Sequence, residues 1–364
     1  MTADVYAKMG IALAAALVIC FAAMPVVRAF AYKIGAIDVP GDETRMHSYP
    51  VPRLGGLAIF LGFLISVVLF ADVDRQVRGI LLGSVVIVVG GAVDDVITLK
   101  WYVKLALQIA AAFIAVRHGL VVYTVSNPNV FSASEFLSFG ALAVPITVLW
   151  ITGITNAVNL IDGLDGLAAG VSGISSVTML IISLLVSEVN VAVIMAALAG
   201  ACLGFLPYNL NSKKRVKMLM GDTGALMLGY VLSTVSIMGL FKFFAIISFA
   251  VPFLVIGLPL FDTALAFARR ILRGHHPMHR DRGHFHHRLV DMGLSQKQAV
   301  AVLYAVSAVL GLAAVVITTS GEARAIIVVI AFVAAGAIGL YALCARRSSA
   351  PERGGGAGGE DDAP

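Results

Sequence analysis

Charged residues are scarce in this 364-residue sequence. Asp, Glu, Lys and Arg together make up 13% of it, hydrophobic residues make up 59%, and the mean hydropathy is +0.94. Soluble globular domains carry about 25% charged residues, so a composition this apolar excludes a soluble domain of this size. The composition predicts a polytopic membrane protein.

Cysteine is scarce as well. Cys20, Cys202 and Cys344 are the three cysteines, and each lies in an apolar run without the C-x-x-C spacing of a zinc or redox site. This pattern argues against a disulfide framework and indicates packing residues. The net charge of +5 does not indicate a nucleic-acid partner, because an excess of Lys and Arg in cytoplasmic loops gives many membrane proteins the same charge.

Long apolar runs are abundant. Eleven of them are close to the 17 to 25 residues that a membrane-spanning helix needs. They lie at 9–31, 55–71, 77–93, 104–124, 140–157, 168–187, 190–207, 223–240, 244–267, 298–319 and 323–345. The first is too long for the core of a signal peptide, so we expect it to be a span. Pro252, Gly257 and Pro259 predict a bend in the ninth, and a bent span can open a groove to lipid.

The distribution of positive charge predicts the orientation. Most of the 26 Lys and Arg residues lie in the C-terminal tail or in loops that follow odd-numbered runs. The positive-inside rule then places the N-terminus outside and the C-terminus in the cytoplasm of the inner or plasma membrane. We expect an all-α polytopic membrane protein with about eleven transmembrane helices, in which residues 1–347 form one integral membrane domain. Residues 348–364 predict a disordered cytoplasmic tail.

The same cytoplasmic loops contain nearly every side chain capable of chemistry. These polar clusters lie at 38–56, 90–104, 156–167, 209–224 and 269–288. Because charged groups are costly near lipid, a membrane protein that gathers them at one face usually has a ligand there. We therefore expect a single cytosolic site at the membrane surface.

The stretch at 156–167 is the densest cluster. It contains Asn156, Asn159, Asp162 and Asp165, separated by small residues. Their oxygens are hard ligands suited to Mg²⁺ or Mn²⁺, and the glycines let the backbone come close to a ligand. The alternative is a turn between two helices with solvated acids.

Further acids stand at the ends of predicted spans. Asp94 and Asp95 end the third span, where adjacent acids repel each other and oppose the helix dipole unless a cation is near. The alternative is a solvated helix end balanced by Lys100 or Lys104. Asp222 lies in a Gly-Asp-Thr-Gly sequence before the eighth span. Such a sequence can bind a metal and diphosphate, or its Asp or Thr can simply cap the helix.

Histidines cluster before the tenth run. His284, His286 and His287 lie among arginines that include Arg282. No cysteine accompanies them and arginines would repel a dication, so the mixture suits phosphate better than zinc. A basic loop that only lies on the membrane surface is the alternative. Asp262, inside the ninth run, either pairs with a nearby arginine or acts directly.

Taken together and in this order, these clusters resemble the polyprenyl-phosphate N-acetylhexosamine-1-phosphate transferase family, also called glycosyltransferase family 4. Within it they resemble the branch of undecaprenyl-phosphate GlcNAc-1-phosphate transferases. The segments that carry the resemblance lie at 38–56, 94–95, 156–167, 221–224 and 277–289.

The resemblance implies a Mg²⁺-dependent enzyme, with Mn²⁺ as an alternative ion. It would transfer GlcNAc-1-phosphate from UDP-GlcNAc to undecaprenyl phosphate and release UMP. The product, undecaprenyl-diphospho-GlcNAc, would be the first membrane intermediate of a cell-envelope polysaccharide such as lipopolysaccharide or teichoic acid. The expected partners are these two substrates and membrane lipid, and a homodimer is left open.

The resemblance also implies roles for individual residues that match the family motifs. The resemblance implies catalytic roles for Asp94, Asp95, Asp162, His284, His286 and His287. It implies substrate contacts for Lys104, Asn156, Gly163, Leu164, Asp165 and Arg282, with 163–165 in the uridine pocket. It also implies that Asp222 is the principal metal ligand and that Asn159 lies near the metal and the diphosphate.

Two alternatives remain open. The phospho-MurNAc-pentapeptide transferase branch typically has three consecutive histidines, whereas Phe285 separates His284 from His286 here, which favours GlcNAc-type donors. A lipid or nucleotide-sugar transporter needs charges near the bilayer midplane, whereas the acids here cluster at one face and no internal repeat is evident.

Overall fold

The structure is a computed structural model that describes residues 3–39, 49–126, 136–211, 216–239, 250–272 and 284–320. Within these ranges the α-helices are α1 (Ala3–Ile34), α2 (Gly55–Phe70), α3 (Arg75–Ile97), α4 (Trp101–Arg117), α5 (Ala143–Ile161), α6 (Leu167–Leu185), α7 (Val189–Asn209), α8 (Gly221–Gly239), α9 (Ala250–Val255), α10 (Gly257–Leu272), α11 (Phe285–Asp291) and α12 (Gln296–Ser320). A 3₁₀ turn at Gly140–Leu142 precedes α5. The predicted helical class is confirmed.

Two short antiparallel strand pairs were not expected from the sequence. The strand β1 (Ile37–Asp38) pairs with β2 (Val51–Pro52), and β3 (Thr124–Ser126) pairs with β4 (Phe136–Ser138). Strands of two or three residues leave no readable period-two pattern, which is why the sequence did not indicate them. The first pair matters for the site, because it fixes the segment that leads into α2.

Six helices in the described ranges are long and apolar enough to cross a membrane. They are α1, α3, α5 with its preceding 3₁₀ turn, α6, α7 and α12, and α2 is a shorter apolar helix. The chain is thus a multi-pass membrane protein. The total of eleven spans and the orientation of the termini stay predictions. The run at 323–345 and the tail at 348–364 lie outside the described residues.

The ninth apolar run is broken, as its prolines predict. Its described part consists of α9 and α10, which meet at Ile256 between Pro252 and Pro259. Proline has no N–H to continue the helical hydrogen bonds and its ring clashes with the preceding turn, so helices bend or end near it. Helix α10 continues to Leu272, beyond the predicted end of the run at residue 267.

Helix α8 lies at the centre of the bundle. Its residues 223–239 are all buried, as expected for a helix surrounded by other helices. It packs mainly against α3 and α5, while α1, α2, α6 and α7 pack around one another beside it. The Tyr230 hydroxyl lies 3.1 Å from the Gly79 carbonyl oxygen and 3.3 Å from that of Ala111, which joins α8 to α3 and α4.

Glycines allow the polar ends of three helices to meet. A Cβ on Gly56 would lie 2.0 Å from the Gly224 backbone nitrogen, and a Cβ on Gly91 would lie 2.6 Å from the Cα of Thr223. Helices α2 and α3 therefore approach the start of α8 more closely than any larger residue permits. The Gly56 N–H also donates to the carbonyl oxygen of Met220 at 2.9 Å, which fixes the backbone just before α8.

Candidate active site

A cavity of about 290 Å³ opens where these helix ends meet. Its walls come from β1, the residue after β2, the end of α5 with the loop that follows it, the end of α7, the segment before α8 with the start of α8, and the first residue of α12. Four carboxylates and two cations line it: Asp38, Asp162, Asp165, Asp222, Arg53 and Lys217. Asn159, Gly163, Leu164 and Asn209 also contribute to its walls. The structure therefore brings together three of the polar clusters that the sequence predicted.

Asp222 stands at the first turn of α8, in a chain of polar contacts across four helices. Lys104 Nζ lies 2.7 Å from Asp222 Oδ2 and 2.7 Å from Asp94 Oδ2. Asn159 Nδ2 donates to Asp222 Oδ1 at 3.2 Å, and the Leu99 N–H donates to Asp94 Oδ1 at 2.6 Å. A single ammonium group thus holds together two carboxylates, from α3 and α8, that would otherwise repel each other.

Asp95 caps α8 from a neighbouring helix. Its Oδ1 accepts the Asp222 N–H at 3.0 Å, and its Oδ2 accepts the Thr223 N–H at 3.1 Å and the Thr223 hydroxyl at 2.6 Å. The first N–H groups of a helix have no partner within it, and a carboxylate there also interacts favourably with the helix dipole. Asp95 therefore holds Asp222 through the backbone of α8, while its own side chain has an exposure of 0%.

Asp162 lies on the cavity wall directly after α5. The pKa of its carboxyl is raised to about 7, first by burial and then by the negative charges of Asp222, Asp95 and Asp165. The described cavity therefore carries more negative charge than its own cations balance. Such an excess is the condition under which a carboxylate site takes up a cation.

The loop between α5 and α6 is fixed from two sides. Asp165 forms an ion pair with Lys217. Gly166 has a φ of 81°, in the left-handed region that glycine adopts without strain, and its N–H donates to Asn209 Oδ1. Asn209 Nδ2 in turn donates to the Met218 carbonyl oxygen at 2.9 Å. The position of residues 163–165 therefore depends on the C-terminal end of α7 and on the segment before α8.

Asn156 lies outside the cavity wall, in an amide pair with Gln108. Gln108 Nε2 donates to Asn156 Oδ1 at 3.3 Å, Asn156 Nδ2 donates to Gln108 Oε1, and it also donates to the Thr152 carbonyl oxygen at 2.8 Å. Gln108 lies one helical turn after Lys104 and Asn156 lies one turn before Asn159. The pair therefore holds α4 and α5 together beside the Asp222 contacts.

The histidine segment contacts the loop on the cavity wall through His286. A Cβ on Gly163 would lie 2.3 Å from His286 Nε2, so the imidazole rests against the loop that carries Asp162. The pKa of His286 is lowered to about 4, first by burial and then by the neighbouring His287, so the ring is neutral at pH 7. Its ring is also stacked on that of His284, with centroids 5.9 Å apart.

Asp262 positions this segment. Its Oδ2 lies 2.9 Å from His284 Nδ1, and its Oδ1 accepts the Phe285 N–H at 2.8 Å. The buried acid of α10 thus fixes the start of α11. From the sequence we expected Asp262 to pair with a nearby arginine or to act directly, and its contact with His284 was not predicted. Arg282, predicted to contact substrate, lies outside the described residues.

Comparison with known proteins identifies the family. A family profile described as glycosyl transferase family 4 matches residues 77–240. A Bacillus subtilis protein named "probable undecaprenyl-phosphate N-acetylglucosaminyl 1-phosphate transferase" is 37% identical over 298 residues, which cover 81% of this chain and 81% of that protein. The chain belongs to glycosyl transferase family 4.

Two further relatives of this chain are named for different reactions. A Mycobacterium tuberculosis protein named decaprenyl-phosphate N-acetylglucosaminephosphotransferase is 34% identical over 332 residues, covering 81% of this chain and 78% of that protein. A Staphylococcus aureus protein named phospho-N-acetylmuramoyl-pentapeptide-transferase is 33% identical over 318 residues, covering 82% of this chain and 95% of that protein. All three relatives are named as transferases, in agreement with the family.

The family 4 profile covers α3 to α8 and therefore the central contacts of the site. Asp94, Lys104, Asn159, Asp162 and Asp222 all fall within it. Three parts of the site lie outside the matched range: Asp38 at the end of β1, Arg53 directly after β2, and the histidine segment. Their assignment to the site thus depends on the geometry of the cavity.

The donor set of this family 4 site fits Mg²⁺. Across the described parts of the chain, no three His, Cys, Asp or Glu side chains form a cluster that could hold a metal ion alone. Mg²⁺, however, usually takes one or two carboxylates together with waters and substrate phosphates. Asp222, Asn159 and the negatively charged surroundings of Asp162 offer that kind of site, without the cage of protein ligands that zinc or calcium would need.

Four residues in or beside the site could not be assigned from the sequence. Arg53 and Lys217 were noted only as loop charges, and Gln108 and Asn209 were assigned no role. Lys104 and Gln108 are four residues apart and therefore lie on the same helix face, so their spacing could have indicated that both face the site. Asn209 gave none, because its role depends on a contact with Gly166 that only the fold creates.

Proposed function

We propose that this chain transfers GlcNAc-1-phosphate from UDP-GlcNAc to a polyprenyl phosphate, of which undecaprenyl phosphate is the expected form, and releases UMP. The names of the Bacillus subtilis and Mycobacterium tuberculosis relatives support this reaction. The observation that carries the proposal is the contact of Lys104 with both Asp94 and Asp222 beside a polar cavity in a membrane protein. The product would be a polyprenyl-diphospho-GlcNAc that begins a cell-envelope polysaccharide.

In the proposed reaction an oxygen of the acceptor phosphate attacks the β-phosphorus of UDP-GlcNAc. A new P–O bond forms, the bond from the β-phosphorus to the oxygen that bridges the two phosphates breaks, and UMP leaves with that electron pair. A phosphate monoester has a second pKa of about 6 and is mostly dianionic at neutral pH, so no protein base is required. Catalysis by the protein therefore rests on positioning and on stabilising charge.

Asp222 and Asn159 are the residues proposed to hold Mg²⁺, or Mn²⁺ in its place, with Asp162 beside them. The excess negative charge that raises the pKa of Asp162 supports this assignment. When bound, the ion supplies positive charge to the diphosphate of the donor. Lys104 keeps Asp222 and Asp94 at a fixed separation, and Asp94 is proposed to act on the acceptor phosphate through that lysine.

The remaining predicted residues take supporting roles in this proposal. Gly163, Leu164 and Asp165 lie on the cavity wall and are proposed to receive the uridine. His286, neutral and in contact with Gly163, can donate or accept a hydrogen bond at the phosphate or sugar. His284 and His287 hold its ring in place, and Asn156 holds α4 against α5. Asp95 is proposed to be a positioning residue, because its oxygens are committed to the start of α8.

The site is proposed to face the cytoplasm of the cell membrane, with the N-terminus outside and the C-terminus inside. The concentration of Lys and Arg in the loops that also carry the site residues supports this orientation. Residues 1–347 are proposed to be one membrane domain and 348–364 a separate tail.

UMP release by the purified, detergent-solubilised protein tests the proposal. We expect release that requires UDP-GlcNAc, undecaprenyl phosphate and Mg²⁺ together, and the omission of each component is the control. The name of the Staphylococcus aureus relative makes UDP-MurNAc-pentapeptide the second donor to supply. If UMP is released from UDP-MurNAc-pentapeptide and not from UDP-GlcNAc, the proposed reaction stands and the proposed donor is wrong. Folded protein that releases UMP from neither donor would contradict the transferase and favour a lipid or nucleotide-sugar transporter.

A further inference from the structure

Arg53 has a fixed position on the cavity wall. It follows β2 directly, and its N–H donates to the Ala36 carbonyl oxygen at 3.0 Å. The preceding residue, Pro52, accepts the Leu219 N–H at 2.9 Å, so the segment before α8 runs alongside it. The backbone of Arg53 is thus held between the segment after α1 and the segment before α8, and Arg53 lines the same cavity as Asp162 and Asp222.

The guanidinium group of Arg53 donates no hydrogen bond within the described residues. Its Nη1 lies 3.8 Å from Asp38 Oδ1 and its Nε lies 3.7 Å from Asp95 Oδ1, both beyond hydrogen-bond distance. A guanidinium has five N–H donors, and leaving donors unpaired away from bulk water is costly. The side chain of Arg53 is 29% exposed, so it is partly shielded from bulk water.

The other cation of the cavity is already engaged. Lys217 is in direct contact with Asp165, which makes it part of the loop structure. Arg53 is therefore the lining cation whose guanidinium donors have no hydrogen-bond acceptor among the described residues. A planar guanidinium binds two phosphate oxygens at once, which a lysine ammonium does not do with the same geometry.

We infer that Arg53 binds the diphosphate of the nucleotide-sugar donor and so is a binding residue of the active site. The inference rests on the proposed function, since that function supplies a diphosphate to this cavity. With four lining carboxylates, the cavity repels a polyanion unless cations lie where its phosphates bind. Arg53 and a metal near Asp222 would face the diphosphate from two walls of the cavity.

The competing explanation is that Arg53 only bridges Asp38 and Asp95. A bridging residue would affect folding and would weaken every ligand of the cavity alike. A diphosphate-binding residue would affect only ligands that carry phosphates. The two explanations are separated by comparing UDP with uridine, which share the nucleoside and differ in the diphosphate.

The test is equilibrium binding of UDP and of uridine to the full-length protein in detergent. The variants are Arg53→Gln, Arg53→Lys and, as a matched control, Arg78→Gln. Arg78 is an exposed arginine near the start of α3 whose Nε contacts the Asp74 carbonyl oxygen at 3.3 Å, far along the helix from Asp95. Because the assay needs no turnover, it is independent of the UMP-release test of the proposed function.

We expect Arg53→Gln to weaken UDP binding at least about tenfold and to leave uridine binding unchanged. Arg53→Lys should recover part of the loss, and Arg78→Gln should behave as the wild type. Unchanged UDP binding in Arg53→Gln, an equal loss for UDP and uridine, or no UDP binding by the wild type would each overturn the inference. If Arg53→Gln does not fold, Arg53→Lys decides, because it keeps the charge and removes the fork.

Discussion

The carboxylate of Asp95 on α3 holds the start of α8 at Thr223. Its Oδ2 lies 2.6 Å from the Thr223 hydroxyl oxygen and 3.1 Å from the Thr223 backbone nitrogen. The adjacent Asp94 instead contacts Lys104. Two neighbouring acids that look alike in the sequence therefore do different work: one positions the helix that carries Asp222, and the other faces the proposed reaction centre.

Asp95→Ala should reduce both stability and activity. It removes three hydrogen bonds to the first turn of α8, so the loss of stability should be about 1 to 3 kcal/mol, and Asp222 should lose its fixed position. The measurements are thermal unfolding in detergent and UMP release.

Asp74→Ala is the control for this variant. Asp74 caps α3 at its other end, with its Oδ1 accepting the Val77 N–H at 2.8 Å. Its replacement should cost about 1 kcal/mol of stability and leave turnover unchanged. Normal turnover by Asp95→Ala would contradict a positioning role for Asp95.

Lys104→Met should lower the turnover number about 100-fold or more. Without the ammonium, the buried carboxylates of Asp94 and Asp222 face each other unbalanced, and charge stabilisation at a phosphoryl-transfer site has effects of this size. Steady-state UMP release gives the turnover number. Lys100→Met is the matched control, since Lys100 is exposed and lies just before α4. If both lysine variants lost activity equally, the bridging role of Lys104 would be wrong.

The pKa of Asp162 predicts a pH dependence of metal binding. The folded pKa of about 7 lies above the ordinary value of 3.8, so between these values the folded, metal-free protein holds more protons than the unfolded chain. Its stability should therefore fall as the pH rises from about 4 to about 7 and level off above. A nearby Mg²⁺ is attracted by the ionised carboxylate of Asp162, so the Mg²⁺ affinity should rise over the same range.

Titration of Mg²⁺ at pH 6, 7 and 8, followed by thermal shift, measures this dependence. The affinity should increase from pH 6 to 7 and change less from 7 to 8, and Asp162→Asn should remove most of the increase. An affinity that is flat across these pH values in the wild type would count against Asp162 as a neighbour of the ion.

Gly163→Ala should reduce activity by displacing His286. The added Cβ would lie 2.3 Å from His286 Nε2, and the buried ring has little room to move. Gly153→Ala is the control, because nothing lies within 4 Å of a Cβ at Gly153 on the exposed face of α5. It should be neutral or stabilise the helix by about 0.5 to 1 kcal/mol.

The double variant Gly163→Ala/His286→Ala separates a clash from a loss of flexibility. If the clash is the cause, the double variant should be no less active than His286→Ala alone. An additive loss of UMP release would show that Gly163 acts by some other route.

Composition and apolar runs were enough to predict the helical membrane class and most helix positions. The bend near Ile256 also followed, because prolines act locally. The polar clusters were predicted to meet, and the cavity brings together 162–165 with Asp222. These features could be predicted because they depend on the properties of single residues and of their neighbours in the sequence.

Partnerships between distant segments could not be predicted in the same way. The contacts of Asp95 with Thr223, of Gln108 with Asn156 and of Asp262 with His284 each join residues far apart in the chain. The family resemblance assigned Asn156 to substrate, and the sequence did not indicate a protein partner for its carboxamide. Only the packing of α4 against α5 gives that carboxamide a protein partner.

The measurement that tests the account most directly is UMP release by Asp222→Asn beside the wild type, with both proteins shown to be folded by thermal unfolding. We expect the wild type to release UMP only with UDP-GlcNAc, undecaprenyl phosphate and Mg²⁺ present. Asp222→Asn should lose activity by about 10³-fold or more, while Asp94→Asn should be weakened less. An Asp222→Asn protein with wild-type activity would contradict the central claim that Asp222 is the metal-holding centre of the site.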